Sequence, residues 1–118
     1  MGLVSVEAPI DINQGLRLIH YACYFGKIKP LKALVEQFNA DIMAIDYRGQ
    51  TPLHVATSSG ELGATLYLSS SLDLIDGARE SKDNALMTPL MNTVSTNNLP
   101  SFVYLFFKEH CHLNHVDI

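Results

Sequence analysis

The chain reads as an all-α solenoid of about three helix-turn-helix repeats, on two observations. The first is a phrase written twice: Leu18-Ile19-His20-Tyr21-Ala22 with Phe25-Gly26, then Pro52-Leu53-His54-Val55-Ala56 with Ser59-Gly60. His20 and His54, Ala22 and Ala56, and Gly26 and Gly60 are each 34 residues apart. A fixed period of this length marks stacked units, each burying its apolar face only against a neighbour. The second is a third, weaker occurrence: Thr88-Pro89-Leu90-Met91 follows Thr51-Pro52-Leu53-His54 by 37 residues, so the connection before it has gained about three.

In the central repeat Thr51 is placed as an N-cap, its hydroxyl accepting from a free amide of the first turn, worth about 1 kcal/mol. Pro52 takes the first helical position, where a missing N–H costs nothing. Leu53 and Ala56 face the neighbouring helices, and Gly60 supplies the left-handed conformation that ends the helix. The second helix of this repeat carries Leu62, Leu66 and Tyr67 with Leu68 beside them as its apolar set. In the first repeat Ile28, Leu31, Leu34, Val35 and Phe38 recur at helical spacing. Pro30 and Pro100 fall in first turns, where proline is tolerated.

The flanking repeats depart from this pattern. Arg17-Leu18 stands where Thr51-Pro52 would place the cap, an erosion expected of a terminal repeat. Met91 stands in place of His54, and Asn97 in place of Gly60, which Asn tolerates because it enters the left-handed region more easily than most residues.

Gly49-Gln50-Thr51-Pro52-Leu53-His54-Val55-Ala56 resembles the core signature of the ankyrin repeat, a β-turn finger followed by two antiparallel helices. The resemblance covers the chain from about Asp11 onward and implies an ankyrin-repeat solenoid. Its parts are a lead-in at 1–10 and repeats at 11–44, 45–76 and 77–116, the last with an enlarged finger loop at 76–84. Leu113-Asn114-His115-Val116-Asp117 is similar to Ile42-Met43-Ala44-Ile45-Asp46, so 117–118 reads as the start of a fourth repeat, with further repeats expected C-terminal to it.

The resemblance implies a non-catalytic module that binds a protein partner through turn tips and a concave helix face. Carried over by position, the tips are Tyr47, Arg48 and Gln50, with Asn13, Gln14 and Leu16 before them. The inner-helix positions are Tyr24 and Phe25, then Ser58 and Ser59, then Ser95 and Thr96. Aromatic residues and Arg dominate binding hot spots, which favours Tyr24, Phe25, Tyr47 and Arg48 as anchors. A packing role under an N-terminal neighbour is the structural alternative for Phe25. The polar stretch Asp76 to Asp83 adds Arg79 and Lys82 as loop candidates, because loops on a rigid scaffold often carry function; the alternative is an exposed insertion.

Composition narrows the function classes further. The net charge is −4, with no Lys/Arg cluster, which argues against nucleic acid and anionic membrane as partners. No apolar run approaches the roughly 20 residues needed to span a bilayer, so no membrane contact is expected. Cys23 and Cys111 lie in the first and last repeats, too far apart in a stack to pair, which points to a reducing, cytoplasmic setting. No cleavable leader is evident, and Met1-Gly2-Leu3-Val4-Ser5-Val6 has Val where an N-myristoylation signal has Ser or Thr.

His110, Cys111, His112 and His115 form the one constellation suggestive of zinc, but they overlay a turn that forms in the first repeat without metal, and no second ligand pair exists. No metal or cofactor is therefore expected. His20 and His54 occupy the structural His position of the repeat. The sequence holds no nucleophile elbow, phosphate-binding Gly-rich loop or paired-carboxylate motif, so the chain itself is read as non-enzymatic. Thr88-Pro89-Leu90-Met91, Leu99-Pro100-Ser101-Phe102 and Leu113 to Asp117 also resemble the ankyrin region of palmitoyltransferases, whose Asp-His-His-Cys motif is absent here. That resemblance implies, as an alternative, a substrate-recruiting region at the cytosolic face of a membrane enzyme.

Overall fold

The computed structural model describes residues 17–73 and 77–114, with side chains as far as Lys108. Six α-helices occur among them: α1 (Leu18–Tyr24), α2 (Ile28–Glu36), α3 (Pro52–Ser59), α4 (Leu62–Ser71), α5 (Pro89–Ser95) and α6 (Leu99–Asn114), with a 3-10 turn at Ala78–Glu80. The helices pair as α1/α2, α3/α4 and α5/α6, and the pairs stack so that α1, α3 and α5 form one row and α2, α4 and α6 the other. No strand occurs among the described residues.

Each boundary has a local cause. Thr51 Oγ1 accepts the His54 amide at 3.3 Å, Pro52 follows at the first helical position, and Gly60 closes α3 at φ +77°. Thr88 repeats this cap on α5, its Oγ1 accepting the Met91 amide at 3.2 Å. Asn97 takes the left-handed conformation at φ +56°, in the place of Gly60. Pro30 lies at the third position of α2 and Pro100 at the second of α6, inside first turns as their chemistry requires.

The core runs between the two rows through Ile19, Ala22, Cys23, Leu31, Leu53, Ala56, Ala64, Leu68 and Leu72. Fully burying each leucine or isoleucine is worth about 1.5–3 kcal/mol. The alanines set the spacing, since a larger side chain at Ala56 or Ala64 would push the rows apart.

The buried face of α4 is not Leu62, Leu66 and Tyr67. Ala64, Thr65, Leu68 and Ser69 are buried, and Leu62 is exposed. Apolar residues lie on several faces of this helix, so hydrophobicity alone does not orient it; small residues facing α3 do. Phe38 is likewise exposed, because α2 ends at Glu36 and the chain turns there.

The two described fingers are alike in length and chemistry. Asp46 donates its amide to the Gln50 carbonyl at 3.1 Å, and its Oδ1 accepts the amides of Arg48 and Gln50 at 2.9 Å each. Asp83 does the same with the Met87 carbonyl at 2.9 Å and the amides of Ala85 and Met87 at 2.9 Å each. The hydrogen-bonded turn of the third repeat thus spans 83–87, matching 46–50 in the second. Ahead of this turn, Ala78 is buried against the stack.

Candidate functional site

Two histidines tie the fingers to the helices. The Thr51 amide donates to His54 Nδ1 at 3.1 Å, which leaves the ring proton on Nε2, 2.8 Å from the Met87 carbonyl oxygen. His20 repeats the arrangement: its Nδ1 accepts from the Arg17 amide at 3.1 Å, and its Nε2 lies 3.1 Å from the carbonyl oxygens of Ala44 and Gln50. Each ring thus spans from its own helix start to the next finger. Burial lowers the His20 pKa from 6.5, against the opposing pull of the Gln50 carbonyl, the Asp46 carboxylate and the Ala44 carbonyl.

The fingers are laced to each other. The Asn84 amide donates to the Arg48 carbonyl at 2.8 Å, and Asn84 Nδ2 to the Tyr47 carbonyl at 2.9 Å. Gly49 sits at φ +77°, and a Cβ there would come within 3.0 Å of the Asn84 backbone nitrogen. Glycine is required twice over at this position, by conformation and by close approach. This lacing holds Tyr47 and Arg48 on a defined backbone with both side chains exposed.

The inner-helix candidates also stand in register. Tyr24, Ser58 and Ser95 are exposed at the C-terminal ends of α1, α3 and α5, one per repeat. Phe25 packs edge-to-face on Tyr24, with ring centroids 4.9 Å apart, and stacks on Tyr21 at 6.5 Å. Ser59 and Thr96 turn their hydroxyls back onto their own helices, donating to the carbonyls of Val55 at 2.8 Å and Asn92 at 2.7 Å.

Other candidates serve the scaffold. Arg79 points inward: its guanidinium donates to the Ser69 carbonyl at 2.9 Å and to the Asp73 carboxylate, with 15% of the side chain exposed. These bonds clamp the 3-10 turn to the end of α4. Lys108 Nζ lies 3.3 Å from the same Asp73 carboxylate. Desolvation pushes the Asp73 pKa up, but the bonds from Arg79 and Lys108 together outweigh it and hold it below the usual carboxylate range. Gln50 acts through its backbone, closing the finger and accepting from His20. Lys82 is exposed just before the Asp83 finger. Asn13, Gln14, Leu16 and His115 lie outside the described residues, as do the side chains of His110, Cys111 and His112.

One tip residue escaped the sequence reading. Leu86 occupies the position of Gly49 in the next finger, at φ +64° and 69% exposed. Its signal was available in the 37-residue offset, which sets Leu86 opposite Gly49. Cys23 is no reactive candidate, since burial pushes its thiol up to about 12. Among the described residues no helix is long and apolar enough to cross a membrane.

Comparison with known proteins agrees with this architecture. A family model described as "Ankyrin repeats (3 copies)" matches residues 3–78 and again 19–117. The chain is 33% identical over 87 residues to ankyrin repeat domain-containing protein 13B of Mus musculus, covering 73% of this chain and 13% of that protein. It is 49% identical over 52 residues to the ADP-ribosylation factor GTPase-activating protein AGD4 of Arabidopsis thaliana, covering 44% of this chain and 7% of that protein. An L-asparaginase of Dirofilaria immitis is 46% identical over 52 residues, again 44% of this chain, and 9% of that protein. The chain thus spans only a small part of the length of these relatives. With three stacked helix pairs, histidine-tied fingers and a family match over nearly its whole length, the chain belongs to the ankyrin-repeat family.

Proposed function

We propose that the chain is a non-catalytic protein-binding module that engages its partner through the finger tips and the exposed ends of the inner helices. The observation that carries this reading is the exposure of Tyr24, Phe25, Tyr47 and Arg48 on a backbone held by the His20, His54 and Asn84 bonds. Exposed aromatics on a rigid frame contribute contact area at small entropic cost, and Arg adds directional hydrogen bonds. Ser58 and Ser59 line the middle of this row, and Lys82 borders it. A cytoplasmic location suits the reading. Immobilised chain, compared with the folded Tyr24→Ala/Tyr47→Ala variant, tests it: a protein retained by the first and lost by the second meets the expectation, whereas equal retention removes these residues from the site.

A second reading makes the module the substrate-recruiting region of a membrane palmitoyltransferase whose catalytic domain lies outside this chain. It is supported by the likeness of Thr88 to Met91 and Leu99 to Phe102 to that group, and the relatives named above bear other names.

A further inference from the structure

The two junctions between neighbouring repeats are built from matching positions, and they differ in chemistry. At the first, Cys23 of α1 and Val55 of α3 are buried; at the second, their counterparts Thr57 of α3 and Asn92 of α5 are buried instead. Asn92 Nδ2 points back to the His54 carbonyl, which sets it on the second junction. On the outer row Val35 packs against the core, whereas its counterpart Ser69 buries a hydroxyl with no hydrogen-bond partner among the described residues. The contiguous apolar core accordingly reaches from Ile19 to Leu72 and Ala78, and Leu105, fully buried in the third helix pair, lies outside it. Buried hydroxyls and amides stabilise a contact less than buried alkyl groups, so the second junction is the weaker one in apolar terms.

Its short hydrogen bonds are gathered at one edge. Along the fingers, His54 Nε2 meets the Met87 carbonyl at 2.8 Å, the Asn84 amide meets the Arg48 carbonyl at 2.8 Å, and Arg79 donates to the Ser69 carbonyl at 2.9 Å. At the opposite edge, where α3 turns into α4 and α5 into α6, Asn98 Nδ2 lies 3.4 Å from the Thr57 carbonyl oxygen, past the roughly 3.2 Å of well-formed bonds. Thr96 Oγ1 is also 3.4 Å from that oxygen, and only 2.7 Å from the Asn92 carbonyl oxygen of its own helix. The glycines of this edge repeat the contrast. A Cβ at Gly26 would overlap the Glu61 side chain across the first junction, and one at Gly60 would meet nothing within 4 Å among the described residues.

We propose that the second junction is a hinge: the third helix pair swings as a unit about the finger edge, opening and closing the edge that carries Gly60 and Asn97. The first junction, apolar and packed at that edge, keeps the first two helix pairs together as the fixed body. Ser58 and Ser59 lie on one side of the hinge and Ser95 and Thr96 on the other, so its opening sets the width of the inner-helix row between them. The hinge goes beyond partner binding and does not depend on Tyr24 or Tyr47.

Thiol labelling of the folded whole chain tests it. Cys23 and Thr57 hold matching, fully buried places at the two junctions, so Thr57→Cys puts the same probe at the second. All versions carry Cys111→Ser, the Thr57→Cys version also carries Cys23→Ala, and circular dichroism checks that each folds. Each thiol is reacted with an aromatic disulfide reagent, and its rate is divided by that of the same version unfolded in urea. The thiol of Thr57→Cys is expected to react at least roughly tenfold faster than Cys23, while the amides of α5 and α6 stay protected from hydrogen exchange over the labelling time. Adding Asn92→Val, which restores the apolar residue of the first junction, is expected to slow the reaction. Should Thr57→Cys not fold, Asn92→Cys against Val55→Cys makes the same comparison from the other wall of each junction. Labelling no faster than at the first junction, or unmoved by Asn92→Val, overturns the proposal, as does loss of α5 and α6 protection on the labelling timescale, which would mean unfolding rather than a swing.

Discussion

His54 Nε2 donates across 2.8 Å to the carbonyl oxygen of Met87, joining the start of α3 to the finger of the following repeat. The ring is fully buried, and its Nδ1 is occupied by the Thr51 amide. One side chain thus satisfies a helix start and a neighbouring turn at once, and fixes the position of the finger.

Replacing His54 by Ala removes both bonds, leaving the Thr51 amide unmet in a dry environment and the Met87 carbonyl with the Asp83 amide alone. A loss of about 2–3 kcal/mol in unfolding free energy is expected, read by urea denaturation. A loss within experimental error would mean that water enters and replaces the ring.

His20 makes stability depend on pH. Its folded pKa lies below 6.5, chiefly because burial disfavours the charged ring, and a proton on Nδ1 would confront the Arg17 amide that it now accepts. The unfolded chain therefore binds more protons, and stability, full above pH 6.5, falls as pH drops through that value. Urea midpoints measured between about pH 8 and about pH 5 should decline, and His20→Gln should flatten the decline.

The two finger positions Gly49 and Leu86 should respond in opposite directions. Leu86→Gly relieves a left-handed leucine whose side chain is exposed, so a gain of up to about 1 kcal/mol is expected. Gly49→Ala meets both the positive φ and Asn84, so a loss of about 1–2 kcal/mol is expected. Thermal melts of the two variants check the signs.

Ala64 tests how closely the helix rows approach. It is fully buried on α4, and Ala64→Leu should cost about 1–3 kcal/mol through overpacking, whereas Leu62→Ala on the exposed side of the same helix should cost little.

The features legible in the sequence were those with a local chemical cause. Thr51-Pro52 and Thr88-Pro89 announce helix starts, Gly60 and Asn97 announce ends, and the spacing of His20 and His54 announces a stack. The residues misread depend on packing or charge partners far along the chain. Arg79 in a polar run suggests a free loop until Asp73 and the Ser69 carbonyl capture it. The face of α4 is chosen by Ala64 and Ser69, which carry little hydrophobic signal. Asn84 reads as an ordinary turn residue, and only the stacked fingers reveal its bonds to Tyr47 and Arg48.

The most direct test is the affinity of a captured partner for the chain and for the Tyr24→Ala/Tyr47→Ala variant, measured by titration calorimetry with both proteins folded. Binding weakened roughly tenfold or more, as loss of hot-spot aromatics implies, is the expected result. Equal affinity in a folded variant would contradict a binding site built on these tips and helix ends.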